Sequence, residues 1–229
     1  MTVTALVSGG KDSLYSAYLA ETQGWPVDEL LTLAPDDPDS LLFHTPNLAV
    51  VPLQAKAWGK AHRRVAVEDT GEAAEVEALT RALSGRRGTV VAGAIASSYQ
   101  WARLHSVCYR LGLRLFTPLW GKSPERVVAE EIAAGLDIRL VHLAAEPLTP
   151  DLLERRLDAP LLSEILRRGR EVREVNAAGE GGEYETLVVD APFWSEGIVL
   201  DEMEKVVERG VSRLIVRRAH LEPRIRPAK

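Results

Sequence analysis

The stretch Val3-Thr4-Ala5-Leu6-Val7 runs directly into Ser8-Gly9-Gly10-Lys11-Asp12-Ser13, and this junction constrains the fold more than any other part of the chain. Five largely apolar residues containing two valines are too few for a buried helix and suit a strand covered on both faces. The glycines stop it. From residue 11 to 22 the spacing of Leu14, Ala17, Tyr18 and Leu19 predicts a helix with one inward stripe, ended by Gly24 and Pro26. Strand, glycine turn and helix make the first half of a βαβ unit, which commits the chain to a parallel sheet with crossover helices.

The same grammar continues. Strands are predicted at residues 29–33, 48–52, 89–95 and 113–118, helices at 70–83 and 99–111, and a loop at the Pro- and Asp-rich stretch 34–40. Alternation of this kind predicts an α/β fold with a doubly wound, mainly parallel sheet. Ser123 then reads as a helix cap with Pro124 at the first helical position; Val127, Val128, Glu131 and Ile132 fill that helix, and a strand follows at 137–143. Residues 147–173 carry a charged helical pattern with Leu152, Leu153, Leu157, Leu162, Ile165 and Leu166 as buried positions. Short strands are predicted at 187–189, 197–200 and 211–217, and a loose basic end at 224–229. A boundary near residues 120–125 separates an expected first domain, 1–122, from a second, smaller α/β domain, 123–229.

Composition narrows the function. Hydrophobic residues make up 46% of the 229, and 28 Lys and Arg against 33 Asp and Glu leave a net charge of -5. With a mean hydropathy of -0.07, this describes a soluble globular protein with no stable nucleic-acid partner expected. No run of about 18 uncharged apolar residues occurs, so neither a membrane-spanning helix nor a membrane partner is expected. Cys108 is the single cysteine, which removes internal disulfides and paired-cysteine chemistry and fits a cytoplasmic setting.

Residues 8–13 sit where first-turn N–H groups of a helix lack intrahelical partners and carry roughly half a positive charge. Two glycines let those amides approach an anion, so phosphate is the natural ligand. The spacing is neither Gly-x-x-x-x-Gly-Lys-Ser/Thr nor Gly-x-Gly-x-x-Gly. The hexapeptide instead resembles the pyrophosphate loop of the N-type ATP pyrophosphatases, the PP-loop superfamily. A second segment, Gly179-Glu180-Gly181-Gly182-Glu183-Tyr184-Glu185-Thr186, alone reads as a flexible acidic turn. Together with residues 8–13 it resembles the hallmark of the diphthine–ammonia ligase (diphthamide synthase) family.

The resemblance extends to Asp39-Ser40 with Phe43-His44, to Gly93-Ala94-Ile95 with Ser97, Tyr99, Gln100 and Arg103, and to Pro118-Leu119-Trp120. The chain departs from the family pattern at Ser98, often acidic, at Ala178, often Cys, and around residues 152–157, where a Leu-Gly pair is missing. The resemblance implies an adenine nucleotide alpha hydrolase-like fold that uses ATP and Mg²⁺. It also implies that Ser8, Gly9, Gly10 and Ser13 hold pyrophosphate, Lys11 neutralises it, Asp12 holds Mg²⁺, and His44 and Gly93 belong to the ATP site. Tyr99, Gln100, Arg103, Trp120 and residues Glu180, Gly181, Gly182, Glu183, Tyr184, Glu185 and Thr186 would meet the substrate, with Asp12, Lys11 and Glu183 as the catalytic set.

The reaction so implied amidates the diphthine carboxylate of elongation factor 2 through an acyl adenylate, releasing AMP and pyrophosphate. A glutaminase would need a nucleophile, but residue 2 is Thr and Cys108 falls in a predicted helix, so free ammonia or ammonium is implied as the nitrogen source. Glu180, Glu183 and Glu185 are candidates for binding ammonium, taking its proton or steering a cationic substrate. Diphthine carries a trimethylammonium, for which Tyr184 with Trp101, Trp120 or Trp194 is a candidate aromatic surface. A homo-oligomer is compatible with the sequence. Two other readings share the loop at residue 8: another PP-loop ATP pyrophosphatase acting on tRNA, and a non-catalytic ATP-binding regulator.

Other polar residues read more plainly. His105 and Cys108 share one helical face without further metal ligands, and His62, His142 and His220 show no constellation. The basic stretches Arg155-Arg156 and Arg167-Arg168-Gly169-Arg170 read as solvated helix surface or as a docking face for the substrate protein.

Overall fold

A computed structural model of the chain describes residues 2–35, 47–67, 71–172 and 174–224. Its first half contains β1 (Val3–Leu6), α1 (Lys11–Thr22), β2 (Glu29–Pro35), α2 (Val51–Trp58), β3 (Ala61–Val67), α3 (Glu72–Leu83), β4 (Thr89–Val91), α4 (Ser98–Arg110) and β5 (Arg114–Phe116). The five strands form one sheet in the order β3-β2-β1-β4-β5, with every neighbouring pair parallel. β1 is buried along its whole length because helices cover both faces. On one side Leu6, Leu31, Leu33 and Val90 pack with Leu79 and Leu83 of α3 and Leu104 and Val107 of α4. On the other, Val3, Ala5, Leu30 and Val91 pack with Leu14 and Ala17 of α1 and Val51 and Ala55 of α2.

The second half adds α5 (Pro124–Ala133), β6 (Asp137–Leu143), α6 (Ala159–Glu171), β7 (Tyr184–Asp190), β8 (Glu196–Glu208) and β9 (Val211–Pro223). Its four strands form an antiparallel sheet ordered β7-β6-β9-β8. Ile138, Leu140, Leu187 and Val188 of this sheet belong to the same core as α1 and α2, so no gap separates the halves. α1 is consequently buried on most of its circumference, including Lys11 and Ser16.

Several expectations are corrected. Residues 48–52 are a 3₁₀ turn, Leu48–Val50, leading into α2, with Pro52 in the helix's first turn where its missing N–H costs nothing. The third parallel strand is β3, whose Ala-His-Arg-Arg-Val-Ala-Val run conceals an edge strand, half-exposed and therefore not continuously apolar. Within 147–173 only a short 3₁₀ turn and α6 are helical, and between them Arg156 bridges to Arg139 of β6. β8 and β9 are much longer than expected, a 13-residue pair closed at Arg209-Gly210. Ser123 caps α5 as read, accepting from the Arg126 amide, and Ser97, not read as a cap, accepts from that of Gln100. No helix among the described residues is long and apolar enough to cross a membrane.

Candidate active site

The order 3-2-1-4-5 reverses direction between β1 and β4, and at the carboxyl ends of these two strands lies a crevice of the kind where open α/β sheets bind ligands. Residues 8–10 leave β1 there and start α1. Gly9 has φ of +85°, a conformation side chains resist, and a Cβ on it would also press against Gln54 and Val51 at 3.1 Å. Its carbonyl accepts from the Val188 amide at 3.0 Å and from Gln54 Nε2 at 2.9 Å; Gln54 Nε2 also reaches the Val188 carbonyl at 2.7 Å. Gly93, after β4, packs so tightly on the first turn of α1 that a Cβ would lie 2.8 Å from the Asp12 carbonyl carbon.

Gly10, the N-cap of α1, has no side chain to accept from the first turn, and Thr186 takes the Lys11 amide. Ser8 and Ser13 hydroxyls stand 3.5 Å apart beside it, and Ser8 N–H donates to Ser13 Oγ at 3.2 Å. The remaining first-turn amides, two hydroxyls and a glycine backbone form a donor set that fits a phosphate anion. Asp12, 30% exposed at its side chain, is the carboxylate at this end. No group of three or more metal-binding side chains exists among the described residues.

Lys11 departs from its expected role. Its ammonium is 1% exposed and its hydrogens are engaged by Asp12 Oδ1 at 2.7 Å, Asp12 Oδ2 at 2.9 Å and the Ala178 carbonyl at 2.9 Å. Burial works against the charge, but Asp12 and Glu131 more than offset it, and the Lys11 pKa is raised. The lysine is therefore a fixed cation beneath the loop, its donors already taken by protein oxygens.

Residues 179–186 face the loop across a single cavity. Its polar wall comprises Ser8, Gly10, Lys11, Asp12 and Ser13 on one side and Glu180, Tyr184, Glu185 and Thr186 on the other, joined by Gly93, Gln100 and Arg103. Its inner end is apolar, formed by Leu6, Leu31, Leu33, Leu79 and Leu104. The Lys11 amide donates to Thr186 Oγ1 at 3.2 Å, a second tie between the two segments. Gly9, Tyr99, Trp120, Gly181, Gly182 and Glu183 lie outside this wall, and His44 lies outside the described residues, as do Asp39, Ser40 and Phe43.

The three glutamates divide into different tasks. Glu183, expected to be catalytic, accepts from the Asn176 amide at 3.1 Å and the Gly181 amide at 2.8 Å, so both oxygens shape its own turn. Glu180 Oε1 accepts from the Ile95 and Ala96 amides, each at 3.1 Å, pinning the segment to the end of β4. Glu185 lines the cavity and lies 3.5 Å from His142 Nδ1, its cross-strand neighbour on β6. Sequence reading had found no constellation around His142.

The aromatic residues separate as well. Tyr184 and Trp194 are 2% and 0% exposed, so neither offers an open ring face; Tyr184 donates its hydroxyl to the Ala177 carbonyl. Trp101 and Trp120 stack at 5.3 Å, and His105 stacks on Trp101 at 4.8 Å, leaving Trp120 37% exposed. Arg103 lies over the Tyr99 ring at 3.2 Å and donates to the Tyr99 carbonyl. Cys108 is buried and its thiol is pushed up to about 11 by desolvation, which fits a core residue. In the basic stretch Arg155 and Arg168 pair with Glu164, and Arg167 with Glu171.

Two contributors escaped the sequence reading as site residues, Gln54 and Glu131. Each stands on an apolar helical stripe, Gln54 between Val51 and Ala55 and Glu131 after Val127 and Val128, and each is fully buried. A polar residue at a core position was the available signal.

Comparison with known proteins matches residues 1–115 to the diphthamide synthase N-terminal domain and residues 123–221 to the diphthamide synthase C-terminal domain. A diphthine–ammonia ligase from Rattus norvegicus is 30% identical over 256 residues, covering 98% of this chain and 94% of that protein. The Mus musculus diphthine–ammonia ligase is 32% identical over 258 residues, with the same two coverages. A solved structure from Methanocaldococcus jannaschii, described as a "predicted subunit of tRNA methyltransferase", superposes with a TM-score of 0.46 at 17% identity, over 84% of this chain and 98% of that one. With both domains matched in order and relatives aligned along nearly its whole length, the chain belongs to the diphthamide synthase family.

Proposed function

We propose that this chain is a diphthine–ammonia ligase that amidates the diphthine carboxylate of elongation factor 2 in the cytoplasm at the expense of ATP. The observation that carries the reading is the meeting of residues 8–13 and 179–186 across one cavity: a helix N-terminus with a glycine cap faces carboxylates in a chamber that is partly lined by leucines. The apolar lining suits adenine, and residues 8–13 would then take the triphosphate.

A carboxylate is a poor electrophile, so it must first gain a leaving group. A diphthine carboxylate oxygen attacks the α phosphorus, the bond from that phosphorus to the bridging oxygen of the β phosphate breaks, and pyrophosphate departs. Ser8, Ser13 and the first-turn amides of α1 receive its charge, which grows as the bond breaks. Asp12 would hold Mg²⁺, which supplies charge neutralisation at the phosphate oxygens when bound. Ammonium then gives up one proton; its lone pair attacks the acyl carbon, the carbon–oxygen bond to AMP breaks, and a second proton leaves the new amide. Glu185 is the carboxylate positioned to accept a proton, with His142 behind it, while Glu180 and Glu183 hold the segment in shape. The exposed Trp120 face at the Trp101 stack is the remaining aromatic surface for the trimethylammonium.

The test is to incubate the protein with ATP, Mg²⁺, ammonium and diphthine-bearing elongation factor 2, then to measure AMP, pyrophosphate and the mass change of a carboxyl group becoming an amide. Substrate-dependent AMP with that mass change supports the proposal. AMP formed only with a tRNA substrate, or ATP bound without AMP, overturns it.

A further inference from the structure

Adjacent residues on a helix point about 100° apart and do not face each other. Lys11 and Asp12 nevertheless meet through both carboxylate oxygens, so something outside α1 must hold the lysine chain in that bend. One holder is the Ala178 carbonyl, 2.9 Å from Nζ. The other comes from α5: Glu131 Oε2 lies 3.8 Å from Nζ, and Glu131 does not line the cavity that Lys11 lines.

Glu131 is costly where it stands. It is 0% exposed, and neither oxygen has a hydrogen-bond partner among the described residues. It follows Val127 and Val128 on the buried stripe of α5, a position that an apolar side chain of similar volume would fill without desolvating a carboxyl group. Burial and the nearby Asp12 raise its pKa well above the usual carboxylate range, while Lys11 opposes them. A carboxyl oxygen attracts an ammonium with or without its own proton, so the contact with Lys11 persists in either form.

We propose that Glu131 is a positioning residue for the nucleotide site: by holding the Lys11 ammonium from below it fixes the direction in which Asp12 presents its carboxylate to the cavity. The inference rests on the ATP-binding reading of residues 8–13. It also gives α5, the first helix of the second half, a part in the site through Lys11.

The experiment uses the full chain and α,β-methylene ATP, titrated calorimetrically with and without Mg²⁺, together with thermal unfolding of the free protein. Glu131→Leu removes the acceptor while keeping the volume apolar; Glu131→Gln keeps an acceptor oxygen at the same reach. The expected result is a loss on the order of tenfold or more in Mg²⁺-dependent affinity for the leucine variant, as other outer-shell substitutions produce. The leucine variant should fold with a lowered unfolding temperature, because buried Lys11 loses one of its two carboxyl neighbours, and the glutamine variant should regain most of the affinity. Unchanged Mg²⁺-dependent affinity in Glu131→Leu overturns the proposal, as does a loss in Glu131→Gln as deep as that of the leucine variant. If Glu131→Leu does not fold, Glu131→Met takes its place under the same criteria. Failure of the parent protein to bind the analogue at all would instead overturn the ATP reading, and this inference with it.

Discussion

Residues 8–13 and 179–186 are both short glycine-rich segments that turn into a regular element, yet they treat their polar groups in opposite ways. The first has a glycine cap, gives one amide to Thr186 and ties down its cation. The second spends two of its three glutamates on backbone amides, and one of these, Glu180, lines the cavity together with Glu185. The difference shows that glycine content and charge count do not identify what a turn does. Which groups remain available is decided by partners far away in sequence, such as Ile95 for Glu180 and Ala178 for Lys11.

The sharpest way to break this contrast is at Asp12, the loop's own carboxylate. Asp12→Ala should lower substrate-dependent AMP release on the order of a hundredfold or more while the far-UV spectrum stays native, since the carboxylate that would hold Mg²⁺ is lost. Glu185→Gln comes next. Amide formation at fixed ammonium should fall on the order of a hundredfold, with much less effect on ATP–pyrophosphate exchange, if this residue takes the proton. Equal losses in both assays would assign Glu185 to adenylation instead.

Glu183→Ala should act differently from both, because it unpairs the Asn176 and Gly181 amides without removing a cavity group. A stability loss of about 1–3 kcal/mol in urea unfolding is expected, with activity falling alongside it. Activity lost at full stability would make Glu183 chemical after all. The smallest effect concerns Cys108. Its thiol, held near 11 by burial, keeps its proton where an exposed thiol with the ordinary value of 9.0 has begun to ionise. The folded form therefore loses stability between those two pH values, and alkylation by iodoacetamide at neutral pH should require unfolding.

Much of the parallel half was legible because buried strands and glycine stops leave local marks: β1, β2, β4 and β5 all stand where apolar runs predicted them. β3 was not, since an edge strand carrying His62, Arg63 and Arg64 has no continuous apolar run, while the apolar segment before it folds as a helix start around Pro52. Within the site, the loop and the acidic segment were legible as motifs. Their division of labour was not, because it depends on the amides of Ile95 and Asn176 and on the approach of α5. Gln54 and Glu131 were visible only as oddities on apolar stripes.

The carbonyl of Gly9 accepts simultaneously from Val188 of β7 and from Gln54 of α2, one partner in each half of the chain. Mechanically, this makes the loop a rivet. A ligand gripping residues 8–13 tightens the antiparallel sheet as much as the parallel one, so amide exchange in β6 and β7 should slow on nucleotide binding although neither strand belongs to the loop. The two halves thereby melt together, and cutting the chain near residue 122 would leave each piece without half of the scaffold that shapes the loop.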